Sequence, residues 1–140
     1  MELWNWIYVS MSCISSADPD SEITSIVEQS RANNDRLNVT GVLVFDGAYF
    51  AQFIEGPKAN VQALRSAIES DNRHQDVTTI LFELADTRDL PNWSLAYAGR
   101  SLVIRRAIRR ATHDIEQGQP GAGARLRSHL ITLAEKGGQL

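Results

Sequence analysis

The sequence predicts an α+β domain, with a largely antiparallel sheet that carries two helices on one face and two C-terminal helices on the other. Three observations lead to this fold class. Runs rich in β-branched and aromatic residues alternate with helical patterns before Leu102. Asp46-Gly47 separates two such runs, which is a strong hairpin signal, and only helical patterns follow Leu102. With 140 residues, 43% of them apolar, the chain is long enough to form one domain with its own core.

The N-terminal elements are a strand, a helix and a hairpin. Residues 3–10 are rich in Trp, Ile, Tyr and Val, which predicts a strand. Its alternation places these side chains on one face: Trp4, Trp6, Tyr8 and Ser10. Asp18 followed by Pro19 predicts the start of a helix, because Asp caps helix N-termini and Pro is accepted in the first turn. Residues 39–45 and 49–54 are the two strands of the hairpin, which should pair antiparallel.

A second helix and two more strands complete the predicted sheet. The helix follows Gly56-Pro57 and ends before Asp71. Its apolar stripe consists of Val61, Leu64, Ala67 and Ile68. Residues 77–84 predict a fourth strand, and residues 93–97 predict a short fifth one. The order β-α-β, hairpin, α-β is the split βαβ arrangement of a ferredoxin-like domain, with both helices on the same side of the sheet.

The C-terminal part is predicted to form two helices. Their apolar stripes are Ile104, Ile108, Ala111 and Ile115 in the first, and Leu126, Leu130 and Leu133 in the second. Residues 117–123, which are rich in glycine and contain a proline, form the break between them. Because the sheet has one bare face, we expect this extension, residues 99–140, to pack on residues 1–98 as part of the same domain.

Composition and charge exclude several classes of protein. The net charge of -3 gives no general attraction to nucleic acid or acidic lipid. Cys13 is the single cysteine, which is typical of a reducing compartment. We find neither the pattern of a secretion signal nor a run of the roughly 20 apolar residues that a membrane span needs, so the cytoplasm is the expected location. Four arginines lie on one side of the first tail helix, where a solvated face and a partner-protein surface are both open interpretations: Arg105, Arg106, Arg109 and Arg110.

Four polar residues occupy positions where periodicity predicts burial: Tyr8, Asn33, Asn34 and Gln52. A buried amide or phenol is costly unless it is hydrogen-bonded, and the surrounding chain offers no obvious charged partner. Asn33 and Asn34 could instead end the first helix, and Gln52 could simply pair with Tyr8. The topology brings Tyr8, Asn34 and Gln52 together, and a planar ligand with a polar edge, held between the two helices, would satisfy all three.

Two other uses of the same fold suit these residues less well. An acyl-phosphate hydrolase needs an anion cradle, but residues 11–21 contain neither arginine nor glycine. An RNA-binding module would place basic residues beside its exposed aromatics, but residues 49–54 contain no lysine or arginine. A cofactor-free protein-interaction module of ferredoxin-like fold is therefore the main alternative.

Five sets of segments resemble the BLUF domain, a family of blue-light sensors that use flavin. They are Ile7-Tyr8-Val9-Ser10, Asn33-Asn34 with Val39-Thr40-Gly41, Phe50-Ala51-Gln52-Phe53-Ile54-Glu55-Gly56-Pro57, Asp71-Asn72-Arg73-His74, and Trp93-Ser94. Their order and spacing match the family across residues 1–98, which would make this range the photosensory domain. The family fold is the ferredoxin-like one, and a tail of two helices is similar to that of short members with no attached enzyme. The resemblance therefore implies a sensor and not an enzyme.

The resemblance also implies roles for the buried polar residues. Tyr8 matches the tyrosine that donates an electron to the excited flavin, and Gln52 matches the glutamine that bridges it to the flavin N5 and O4 edge. Asn34 matches the asparagine at the carbonyl and imide side of the ring, with Asn33 as a neighbouring contact. The implied cofactor is FAD, with FMN and riboflavin as alternatives. Rearranged Gln52 hydrogen bonds would give a reversible red-shifted state that is relayed to a partner protein.

Two further groups of residues match the family's positions. Asp71, Arg73 and His74 match those near the ribityl chain and the outer end of the cofactor, while a polar helix C-terminus, stabilised by Arg73, is the alternative. Trp93 and Leu95 match the signal relay, where the family usually has methionine in place of Leu95. Leucine lacks the thioether's weak acceptor, and edge packing is the alternative role for this pair. We expect no metal site, no membrane partner and no nucleic acid, and self-association is left open.

Overall fold

The computed structural model describes residues 2–14, 19–91, 96–98 and 102–135. The elements within these ranges are β1 (Leu3–Ser12), α1 (Pro19–Arg36), β2 (Thr40–Phe45), β3 (Tyr49–Pro57), α2 (Lys58–Glu69), β4 (His74–Ala85), β5 (Ala96–Ala98), α3 (Leu102–Glu116) and α4 (Ala122–Glu135). The predicted α+β class and the order of its elements are confirmed. No helix within the described ranges is both long and apolar enough to cross a bilayer.

The five strands form one sheet in the order β4-β1-β3-β2-β5. β3 lies in the centre and pairs antiparallel with β1 and β2. β1 also pairs antiparallel with β4, and β2 pairs parallel with β5. The first four strands therefore have the ferredoxin-like arrangement that the sequence predicts. β5 extends the sheet beyond β2, and the described part of this fifth strand begins after the predicted residues 93–95, which lie outside the described ranges.

The hairpin between β2 and β3 forms at Asp46-Gly47 as predicted. Gly47 adopts a φ of 103°, a value that side chains disfavour and glycine accepts. One carboxylate oxygen of Asp46 accepts the backbone N–H groups of Ala48 and Tyr49 at 2.8 and 2.7 Å. These bonds close the turn and fix the register that places Gln52 opposite Leu43.

The two sheet faces carry separate cores, as the alternation predicts. On one face, Trp6, Tyr8 and Ile54 pack against Val61 and Leu64 of α2. A neighbouring cluster on the same face joins α1 to β2 and β3 through Ile23, Ile26, Val27, Leu43, Phe45 and Phe50. The opposite face packs against α3 and α4, and its cluster includes Ile7, Val9, Ala51, Phe53, Ile104, Ile108, Leu126 and Leu130. The helix pairs therefore cover opposite sides of the sheet.

A close approach between β2 and β3 depends on Gly41. A Cβ atom at this position would lie 2.0 Å from the carbonyl oxygen of Phe53. No side chain can occupy that space without moving a strand, which explains a glycine near the start of β2. The strand that carries Gln52 is therefore held tightly against its neighbour.

Several sequence expectations need correction. α1 continues to Arg36, so the alternative that Asn33 and Asn34 end this helix is wrong. Gly123 belongs to α4 and not to the preceding break, and Ile115 is 36% exposed although it was assigned to the apolar stripe. The expected capping residue Asp18 lies outside the described ranges.

All four arginines of α3 are exposed, but two of them also contact other groups of the protein. Arg105 donates to the backbone carbonyl of Asp46 at 2.9 Å, which ties α3 to the hairpin. Arg110 lies 3.6 Å from the carboxylate of Asp114 on the same helix. Arg106 and Arg109 are exposed, as the solvated-face interpretation expects.

Candidate functional site

A cleft of about 170 Å³ lies between α1 and α2, above the helix-bearing face of the sheet. It is lined by Tyr8, Ile26, Gln29, Ser30, Asn33, Asn34, Leu43, Phe50, Gln52, Leu64, Ala67, Ile68, Asp71, Arg73 and His74. These residues come from both helices, from four strands and from the turn after α2. The cleft therefore collects every predicted flavin-contacting residue of this chain.

Tyr8 and Gln52 are directly hydrogen-bonded in the floor of the cleft. The Tyr8 hydroxyl donates to Gln52 Oε1 at 2.5 Å. The two residues are register partners of β1 and β3, and their side chains are 1% and 4% exposed. The β1–β4 pairing is irregular between Ile7 and Tyr8, and such irregularities commonly set the direction of a functional side chain.

The environment of Tyr8 keeps its phenol protonated. Burial raises its pKa well above the usual range, and the negative charge of Asp71 raises it further. Tyr8 is therefore a neutral hydrogen-bond donor at physiological pH. Aromatic neighbours hold the ring, with centroids 4.6 Å from the ring of Trp6 and 5.9 Å from that of His74.

Asn33 and Asn34 lie in the last turns of α1, next to the cleft. Their backbone carbonyls are already used, because Asn33 accepts from the Leu37 N–H at 3.0 Å and Asn34 accepts from the Val39 N–H at 2.8 Å. Asn34 is 1% exposed, whereas Asn33 is half-buried. Asn38, with a φ of 55°, lets the chain leave the helix toward β2. Both asparagines therefore line the side of the cleft that α1 forms.

Asp71 and Arg73 form an ion pair at the end of the cleft beyond α2. Arg73 Nη2 lies 2.6 Å from Asp71 Oδ2, and the Arg73 backbone N–H donates to Asp71 Oδ1 at 2.8 Å. The hydrogen bond from Arg73 lowers the pKa of Asp71, and the same contact raises the pKa of Arg73. The turn after α2 is therefore stabilised by its own side chains and presents a paired charge to the cleft.

His74 is the first residue of β4 and packs between the two aromatic residues of the floor. Its ring centroid lies 4.7 Å from that of Phe50 and 5.9 Å from that of Tyr8. Its Nδ1 lies 2.7 Å from Ser10 Oγ, which fixes the orientation of the ring. Burial lowers the pKa of His74, and Asp71 opposes this in part. The neutral imidazole is therefore the favoured form in the folded protein.

Three polar residues of the site were not singled out from the sequence. Ser30 lies one helical turn before Asn34 on the same face of α1, so the helical spacing could have identified it. Gln29 is exposed, and nothing in the sequence distinguishes it from a surface residue. Ser10 was placed on the correct strand face, but its bond to His74 spans 64 positions and has no sequence signature. Trp93 and Leu95, the predicted relay, lie outside the described residues.

The lining of the cleft fits the flavin that the family resemblance implies. Leu43, Phe50 and Ile26 supply apolar surfaces for the faces of a planar ring. An imide edge alternates carbonyl acceptors with an N–H donor, and amide side chains such as those of Asn34 and Gln52 can both donate and accept. The donor set of the cleft therefore suits a flavin ring better than it suits an anion or a metal ion.

Comparison with known proteins agrees with this chemistry. Residues 3–96 match the family model described as BLUF, sensors of blue light using FAD. The blue light- and temperature-regulated antirepressor BluF of Escherichia coli is 34% identical over 71 residues, which cover 51% of this chain and 18% of that protein. The alpha subunit of the photoactivated adenylate cyclase of Euglena gracilis is 36% identical over 67 residues, 48% of this chain and 7% of that protein. The chain thus spans less than a fifth of the length of these curated relatives.

A solved structure matches over nearly the whole chain. The dark state of BlrB, a BLUF protein, superimposes with a TM-score of 0.77 and 31% sequence identity. The match covers 94% of this chain and 96% of that one, so it includes the C-terminal helices as well as the sheet.

Proposed function

The chain belongs to the BLUF family of blue-light sensors, and we propose that Tyr8 and Gln52 carry its photochemistry. The observation that supports this assignment is their mutual hydrogen bond of 2.5 Å, buried in the floor of a cleft between two helices. A phenol and an amide in direct contact, shielded from water, form a defined path for one proton. No other pair among the described lining residues combines a phenol with an amide in this way.

The remaining lining residues are proposed to hold the cofactor. Asn34, Asn33 and Gln52 would bind the polar edge of the ring, and the pair of Asp71 and Arg73 would lie toward its outer end together with His74. We propose FAD as the flavin that is bound, in agreement with the family description. The bound flavin supplies the absorption of blue light and, once excited, a strong acceptor for one electron.

Tyr8 is proposed to be the donor of that electron. A phenol that loses an electron becomes strongly acidic, and the Tyr8 hydroxyl already points at Gln52 Oε1. The proton therefore has an acceptor in place, so electron and proton can leave together. Return of the electron and the proton to Tyr8 would leave the flavin chemically unchanged and Gln52 rotated or tautomerised, because its amide contains both donor and acceptor groups. The altered amide would present an additional donor to the ring carbonyl, which would lower the excitation energy and give the red-shifted state.

The output is proposed to be a protein contact and not a reaction catalysed by this chain. Curated relatives include an antirepressor and adenylate cyclase subunits, which agrees with a sensor that acts on an effector. We propose residues 1–98 as the photosensory part and residues 99–140 as a helical extension of it, with Trp93 and Leu95 in the relay. The free thiol of Cys13 is consistent with a cytoplasmic location.

Spectroscopy of the purified protein tests this function. The protein should be yellow, and blue light should produce a red-shifted difference spectrum that decays in the dark. Chromatography of the released pigment then distinguishes FAD from FMN and riboflavin. A colourless protein that also fails to bind each of these three flavins would contradict the proposal and favour the cofactor-free interaction module.

A further inference from the structure

The loop between β4 and β5 is attached to β3 by a buried carboxylate. Glu55 is 1% exposed and shares the face of β3 opposite the cleft with Ala51 and Phe53, whereas Gln52 and Ile54 lie on the cleft side. Its Oε2 accepts the backbone N–H of Asp89 at 2.6 Å, and its Oε1 accepts that of Leu90 at 2.7 Å. Both carboxylate oxygens are therefore occupied by a single loop.

A second residue of this loop, Arg88, binds β2, β3 and the short link between α1 and β2. Arg88 Nη1 donates to Thr40 Oγ1 at 2.9 Å and to the backbone carbonyl of Glu55 at 3.2 Å. Its Nη2 donates to the carbonyl of Asn38 at 2.8 Å. The loop is thus held by β2, by β3 and by Asn38, which follows the end of α1.

The same loop is joined to the C-terminal helix. Arg127 of α4 donates from Nε to Asp89 Oδ2 at 3.0 Å, and its Nη2 contacts the same oxygen. The guanidinium also lies 5.7 Å from the ring of Phe53, the residue directly after Gln52. Leu90 is 3% exposed and belongs to the core beneath α3 and α4. Arg127 therefore contacts β3 through Phe53 and, through Asp89, the loop that Glu55 holds.

We propose that Glu55 is a positioning residue that transmits the rearrangement at Gln52 to α4 through Asp89 and Arg127. This inference rests on the proposed function of Gln52 and goes beyond it, because it names the output path. Adjacent residues of a strand face opposite sides, so a shift or twist of β3 at Gln52 displaces Phe53 and Glu55 on the tail side. Short bonds from a buried carboxylate pass on such a displacement instead of absorbing it.

The decisive experiment compares two arginines of the same helix. Arg127→Gln breaks the link between α4 and the loop, while Arg125→Gln breaks a matched ion pair, with Asp114, that lies wholly within the two tail helices. Hydrogen exchange of α4 is measured in the dark and under blue light, together with the difference spectrum. The parent chain should show a light-minus-dark change in α4.

The two variants should differ in light response and not in dark stability alone. Both should keep the red shift, and both should speed the dark exchange of α4. Arg127→Gln should reduce the light-minus-dark change at least about two-fold, the factor expected from losing a partly exposed ion pair, whereas Arg125→Gln should leave it near the parent value. A residue with a purely structural role would change exchange equally in dark and light.

Glu55→Gln provides a second, independent test. The amide keeps one acceptor and replaces the other with an NH₂ group, so one loop N–H loses its partner while the side chain keeps its volume. The red shift should persist, and the light-minus-dark change in α4 should fall as in Arg127→Gln. An unchanged α4 response in both Arg127→Gln and Glu55→Gln, or a parent chain that red-shifts without any change in α4, would overturn the inference. A parent chain without a red shift would overturn the proposed function itself.

Discussion

Replacing Tyr8 with Phe removes a single oxygen atom from the centre of the site. The ring keeps its contacts with Trp6 and His74, at centroid distances of 4.6 and 5.9 Å. The change removes the 2.5 Å hydrogen bond to Gln52. Because Gln52 is only 4% exposed, its Oε1 is then buried without this donor. A buried acceptor left unpaired costs about 1 to 3 kcal/mol. For a chain of this size that corresponds to a fall in Tm of roughly 3 to 10 °C, measured without flavin.

The functional effect of Tyr8→Phe should be larger than its effect on stability. Flavin should remain bound, because the amides of Asn33 and Asn34 and the apolar lining are intact. The light-induced red shift should disappear, because the donor of the electron and proton is gone. Tyr49→Phe is the matched control, since Tyr49 packs on the opposite face of β3 and should keep the full shift. A normal red shift in Tyr8→Phe would remove Tyr8 from its proposed role and leave Trp93 as the candidate donor.

Four further changes test the site and its surroundings. Gln52→Ala should retain some flavin without any shifted state, whereas Asn34→Ala should weaken flavin binding by roughly 1 to 3 kcal/mol. Flavin titration and difference spectra measure both effects, and an exchange of the two effects would show that the two amides are wrongly assigned. Leu95→Met should change the dark recovery rate or the light-dependent hydrogen exchange of residues 93–115, while the size of the red shift should stay nearly unaltered. No change in either the recovery rate or the exchange would indicate that Leu95 only packs against its neighbours. Gly41→Ala places a Cβ 2.0 Å from a β3 carbonyl oxygen and should cost at least about 3 kcal/mol in urea unfolding. Burial lowers the pKa of His74, so its contribution to stability is present above the ordinary histidine pKa of about 6.5 and is lost as the pH falls toward the lowered value. The Tm should therefore drop between pH 7 and pH 5, and it should drop less in His74→Gln.

The sequence predicts the order of the elements and the sheet faces because both follow from short-range periodicity. Alternation in β1 and β3 correctly separates Tyr8 and Gln52 from the opposite core. The hairpin follows from Asp46-Gly47, whose turn geometry is nearly independent of the rest of the fold. Helix ends are predicted less well, because the two asparagines that resemble a stop signal are held inside α1 by the packing of its buried stripe. Tertiary contacts override a local preference at that position.

Periodicity also explains which site residues could be found. Tyr8, Asn34 and Gln52 interrupt apolar patterns, and each proves to be 4% exposed or less. The same signal was present at Glu55, which alternates with apolar residues of β3 and is 1% exposed, although the sequence pattern only placed it within a family motif. The pattern indicates that a polar side chain is buried, but it does not identify the hydrogen-bond partner of that side chain.

The partners of Glu55 illustrate why that second step needs the structure. Its carboxylate is bound by backbone N–H groups of a loop 34 and 35 positions away, and every residue except proline carries such a group. The side chains of Asp89 and Leu90 therefore give no indication that their backbone N–H groups bind Glu55. Gln52 differs because its partner is a side chain, the Tyr8 phenol, which lies on the same predicted sheet face. The photochemical pair could be inferred because both of its side chains interrupt apolar patterns on neighbouring strands of the predicted sheet. The contacts of Glu55 with backbone N–H groups leave no such mark on the partner residues, so they become visible only when the chain is folded.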